Sequence, residues 1–165
     1  MRGFISFVNR LSDLGGYVSG VMMVIGLSLV VIEILIRGFF VKTLYITEEY
    51  TGYLMAGLTY FALGYTLKED GHIRMTFLLQ SLSPRKRIIF EVVCFTLGFL
   101  FSIVFTYLTF GLFWDSVLSK TKAMSISETP LAIPQFLLPL GSLIMTLQFA
   151  SELAKRILTL IRGLS

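Results

Sequence analysis

Residues 17–36 read YVSGVMMVIGLSLVVIEILI, twenty positions that carry one charge, Glu33, close to the end of the run. As an α-helix rising 1.5 Å per residue, twenty residues reach about 30 Å, the thickness of a bilayer's hydrocarbon core. A helix closes its own backbone hydrogen bonds in lipid, and no other open structure does so. The run is longer than the core of a signal peptide, and no small-x-small cleavage site follows it. It therefore reads as an uncleaved first span, extending over about 14–36.

Three further runs of this kind follow, at about 46–67, 88–114 and 133–154. The third is long enough to imply tilt or extension beyond the lipid. The expected fold is an all-α integral membrane protein, with residues 1–165 forming a single four-helix domain. Composition agrees. The chain is 55% hydrophobic and only 15% charged, with mean hydropathy +0.82, against about 45–50% and about 25% in soluble domains. The surplus of apolar side chains exceeds what one small core can bury.

Lysine and arginine counts set the expected orientation. Arg2 and Arg10 precede span one. Lys68, Arg74, Arg85, Lys86 and Arg87 lie between spans two and three, and Lys155, Arg156 and Arg162 follow span four. Those ten oppose Arg37, Lys42, Lys120 and Lys122, which places both termini in the cytoplasm. Two segments have the stripe of a short amphipathic helix lying on the membrane surface: Phe4, Phe7, Val8 and Leu11, and, in the middle loop, Met75, Leu78, Leu79 and Leu82.

The net charge of +4 is explained by these flanks and calls for no nucleic acid. The single cysteine, Cys94, excludes an internal disulfide and a cysteine-rich metal site, and the single histidine, His72, excludes a bis-histidine haem within the chain. No cofactor is expected. No serine–histidine arrangement, cysteine pair or glycine-rich phosphate loop is present, so enzyme activity is not expected.

The charged residues within the spans sit toward helix ends, each acid one turn from a base: Glu33 with Arg37, Glu91 with Arg87, Glu152 with Arg156. Their simplest role is neutralisation at span ends; contact with a partner subunit is the alternative. The span centres are charge-free, although a chain that moves an ion or anion keeps polar groups there. Thr47, Glu48 and Glu49 open span two, with Thr47 placed to cap it and the carboxylates placed at its positive end. A bridge from Arg37 to Glu48 or Glu49 would instead fasten spans one and two as a hairpin. Gly16 and Gly20, and Gly57 and Gly64, allow close helix contact. Pro134 suits a first helical turn, and Pro139 is expected to kink span four. Tyr107, Phe110, Phe113 and Trp114 mark an interfacial aromatic cluster.

In order along the chain stand Arg37; Thr47-Glu48-Glu49; Gly71-His72-Ile73-Arg74; Ser83-Pro84 before Arg85 and Arg87; Thr129-Pro130-Leu131-Ala132-Ile133-Pro134; and Pro139-Leu140-Gly141. This series resembles the small membrane subunit, the DctQ type, of tripartite ATP-independent periplasmic (TRAP) transporters. The likeness covers nearly the whole length. It departs at Met75-Thr76, where the family often has Val-Asp, and at Tyr45, Ile46 and Phe136, near which the family often has tryptophan. The resemblance implies a bacterial inner-membrane complex with a large permease subunit on a separate chain and a periplasmic substrate-binding protein. The large subunit would carry the organic-acid and sodium sites. Membrane lipids are the remaining partner. Arg37, Glu48, Glu49, Glu33, His72 and Arg74 are the candidates for subunit contacts or structural fastening. The rival reading is a self-sufficient proton-coupled exporter using Glu33.

Overall fold

The computed structural model describes residues 2–40, 43–69 and 84–162. Within them lie α1 (Arg2–Phe40), α2 (Ile46–Lys68), α3 (Pro84–Ser119), α4 (Ala132–Gln135) and α5 (Leu137–Arg162). Among the described residues the only β feature is an isolated bridge between Lys122 and Pro130.

The helices do not form a symmetric bundle. The last helix, α5, is the hub: it packs against α1, α2 and α3, and α1 also runs along α2. α3 hangs on α5 and α4. The hub is the helix with the most buried positions, among them Ser142, Ile144, Met145, Thr146, Gln148, Ser151 and Glu152. The outer flanks of α1 and α3 carry rows of exposed Val, Leu, Ile and Phe. Side chains of this kind need hydrocarbon or an apolar partner around them.

Among the described residues three helices are long and apolar enough to cross a membrane, the segments Gly3–Phe40, Lys86–Ser119 and Ala132–Ile161. The expected second span is helical over 23 residues but less apolar, because it spends many positions on Gly, Thr and Tyr. The physical reason is its place in the fold. It lies between α1 and α5, so small residues serve it better than large apolar ones. A Cβ on Gly64 would lie 2.7 Å from Ile144, and one on Gly57 would lie 2.9 Å from Leu137. The closest approach comes from the other side, where a Cβ on Gly141 would meet the Tyr60 backbone at 2.5 Å. Of the first glycine pair, Gly16 lies under the Tyr65 ring, whereas Gly20 faces open space.

One local expectation needs correction. The N-terminal amphipathic stretch is not a separate surface helix but the first turns of the 39-residue α1. Nothing in its sequence breaks the helix, and Val8 and Ser12 are fully buried within the bundle. The second stripe, Met75–Leu82, lies outside the described residues. Before Pro139 the helix is interrupted at Phe136, which keeps right-handed helical angles. Proline lacks the N–H that would bond one turn back, so the interruption falls in the turn before it.

Candidate functional site

The ionic groups gather at two rims. On α1 the last acid of one rim is Asp13 and the first of the other is Glu33. They are twenty helical steps apart, about 30 Å at 1.5 Å per residue. On α2, Glu49 and Lys68 are spaced almost the same way, with no charge between them.

At the Glu33 end, one carboxylate organises the turn from α1 to α2. Glu33 accepts hydrogen bonds from Arg37 at 3.1 Å, from the Leu44 backbone N–H at 2.9 Å and from the Thr47 hydroxyl at 3.3 Å. Thr47 therefore does not cap α2 through its side chain. Tyr45 occupies the cap position and makes no side-chain cap bond. Arg37 pairs with Glu33 on its own helix, and no bridge to Glu48 or Glu49 forms. Geometry explains this, since Glu33 is one helical turn from Arg37 on the same face. Glu48 is exposed.

Glu49 has a different task. Its carboxylate accepts from Ser125 and Ser127 at 2.5 Å each and from Tyr53 at 2.7 Å. Thr129 extends the network, 2.8 Å from Ser127. These bonds tie the loop between α3 and α4 to the start of α2. The loop is shaped further by the Ala123 N–H to Thr129 carbonyl bond and the Leu131 N–H to Thr121 carbonyl bond. Lys120 and Glu128 take left-handed backbone angles, φ 48° and 44°, which costs about 1–2 kcal/mol for each non-glycine residue. At the tip, Met124 and Ile126 project as two exposed apolar side chains.

At the Asp13 end, Lys68 donates to Asp13 at 2.5 Å and pairs with Glu69 at 3.2 Å. The Asp13 hydrogen bond raises the lysine pKa, against the opposing effect of partial burial. Deeper in, fully buried Gln148 accepts from Ser12 at 2.9 Å and donates to Asn9 and Glu152. Glu152 takes Lys155 at 2.6 Å and Arg156. Arg156 also reaches Glu91 on α3 at 3.4 Å, and Arg87 holds the same carboxylate at 3.3 Å.

The expected one-turn pairs at Glu33, Glu91 and Glu152 all form. The cross-helix bonds of Asp13, Gln148, Glu49 and Arg156 are not evident from helical spacing. A faint signal exists for two of them: the alternation Ser125-x-Ser127-x-Thr129, and the four-residue series Gln148, Glu152, Arg156. His72 and Arg74 lie outside the described residues.

Between the rims, contacts are neutral. Thr146 donates to the Ser102 carbonyl at 3.1 Å, Thr106 and Thr146 hydroxyls lie 3.0 Å apart, and those of Thr109 and Ser142 lie 3.1 Å apart. Such bonds between membrane helices average about 0.6 kcal/mol each. An open groove of about 500 Å³ between α3 and α5 is lined by Ile103, Tyr107, Phe110, Phe136, Leu140 and Leu143 among others. It suits hydrocarbon or an apolar surface rather than a charged solute.

Compared with known families, the chain matches over residues 8–159 the family described as tripartite ATP-independent periplasmic transporters, DctQ component. No curated protein and no solved structure gave a significant match.

Proposed function

The chain belongs to the DctQ family, the small membrane component of tripartite ATP-independent periplasmic transporters, and from that premise we propose that it is a static accessory subunit. In this reading it supports a large permease on a separate chain during sodium-coupled, binding-protein-dependent uptake of an organic acid. It acts by scaffolding and carries out no reaction of its own.

The observation that carries the proposal is the placement of charge. No Asp, Glu, Lys or Arg lies between Asp13 and Glu33 on α1, Glu49 and Lys68 on α2, Glu91 and Asp115 on α3, or Glu128 and Glu152 through α4 and α5. A charge at mid-membrane costs about 2.5–3.5 kcal/mol and is kept for a purpose. This chain keeps none there, and Glu33 is engaged in fastening a turn. Cargo handling then falls to another subunit.

In the proposed arrangement all four long helices span the bacterial inner membrane. The spacing of Glu49 and Lys68 supports α2 as the fourth span, shielded by its neighbours despite its modest apolarity. The excess of basic residues supports a cytoplasmic Asp13 end. The exposed flanks of α1 and α3 meet lipid and the large subunit. The braced loop carrying Met124 and Ile126 faces the periplasmic binding protein.

Arg37 and Lys122 offer a matched test, being 60% and 58% exposed and each paired with one acid. Arg37→Glu sets a second carboxylate against Glu33, where α1 meets α2. It should lower the yield of complex with the large subunit, or solute uptake, more than Lys122→Glu does. Equal and negligible effects would leave no reason to single out Arg37.

A further inference from the structure

We infer that the junction of α3 and α5 at the Asp13 end is a binding site for one anionic phospholipid. A row of five charges crosses the two helices: Arg87, Glu91, Arg156, Glu152 and Lys155. Glu91 is shared by Arg87 and Arg156, at 3.3 Å and 3.4 Å. Glu152 is shared by Arg156 and Lys155. Three cations thus meet two carboxylates, and both ends of the row are cationic.

The central member is committed to the protein. Arg156 lies over the Phe95 ring at 3.9 Å and is only 13% exposed. The end members are open, with Arg87 50% and Lys155 36% exposed. Lys86, next to Arg87, is also exposed. The junction therefore presents two positive charges beyond those its own acids neutralise. Basic clusters between membrane helices at this depth hold anionic headgroups.

A second feature favours an anion that carries a tail. Lys86 begins a stripe on α3 that continues through Phe90, Val93, Leu97, Leu100 and Val104, all exposed. Their spacings of four and three residues place them on one helical face. The eleven helical steps from Lys86 to Leu97 cover about 16 Å along that face, a leaflet's depth of apolar contact directly beneath the cations. A free anion would use the basic end alone; a phospholipid uses both.

The site concerns the isolated chain and does not rest on its role in a transporter. The test places the full-length protein in nanodiscs of equimolar phosphatidylglycerol and phosphatidylcholine, extracts it gently, and counts retained lipids by native mass spectrometry. Phosphatidylglycerol should be retained preferentially. The Lys86→Gln/Lys155→Gln double variant should lose that preference by about 25-fold, at about fivefold per cation near the membrane surface. Glu91→Gln, which adds one surplus charge, should raise it, and Lys120→Gln at the opposite end should leave it unchanged. Helical circular dichroism checks each variant; if the double variant fails to fold, the rise with Glu91→Gln decides. No preference in the unaltered protein, or a preference indifferent to Lys86, Lys155 and Glu91, would overturn the assignment. Complete displacement by inorganic phosphate alone would make it a free-anion site and overturn it equally.

Discussion

Gly141→Ala tests the packing that makes α5 the hub. The added methyl would lie 2.5 Å from the Tyr60 carbonyl carbon, 2.6 Å from its oxygen and 2.7 Å from its Cβ. Comfortable carbon contacts are about 3.5–4.0 Å, so the overlap is about 1 Å. Two of the three atoms are backbone, and no rotamer change relieves them. α2 and α5 must part, which also loosens Gly64 against Ile144 and Gly57 against Leu137. Overpacking of this kind costs about 1–3 kcal/mol. The control is Gly20→Ala, where nothing lies within 4 Å of the new methyl and the change should stay within about 0.5 kcal/mol. Unfolding by SDS titration in mixed micelles, followed through Trp114, the single tryptophan, gives both values. Equal stability of the two variants would refute the close α2–α5 contact.

Glu49→Gln keeps the size of the side chain but weakens three hydroxyl bonds that now end on a carboxylate. Amide hydrogen exchange in residues 121–131 should speed up while exchange in the helices is unchanged; protection equal to that of the original protein would show that Glu49 does not hold the loop. Asp13→Asn and Lys68→Gln should each loosen α1 from α2 at one end. Their coupling in a double-mutant cycle should be about 1 kcal/mol or less, because both side chains are partly exposed; coupling of zero would remove the bridge from the account.

The long helices α1, α3 and α5 were legible because apolar runs flanked by lysine and arginine have one physical outcome in a bilayer. The one-turn ion pairs were legible because helical spacing alone brings Glu33 to Arg37 and Glu152 to Arg156. What could not be read were contacts set by the rotation of one helix against another. Asp13 and Lys68 are 55 residues apart in sequence, and nothing local aims them at each other. Gln148 reads as an ordinary polar residue in an apolar run, yet it joins Ser12, Asn9 and Glu152. The modest apolarity of α2 has the same origin, since residues chosen to fit neighbouring helices do not announce lipid. Thr47 fell to the competing claim of Glu33, a carboxylate fourteen residues earlier that bonds its hydroxyl.

The proposed role of this subunit is to support transport without itself carrying the solute. Its most direct test is uptake of radiolabelled organic acids into vesicles with an imposed sodium or proton gradient, with the purified chain alone and then with the proposed large permease and binding protein added. That role predicts no gradient-driven uptake by the chain alone and uptake by the assembled set. Accumulation driven by the chain alone, abolished by Glu33→Gln, would contradict it.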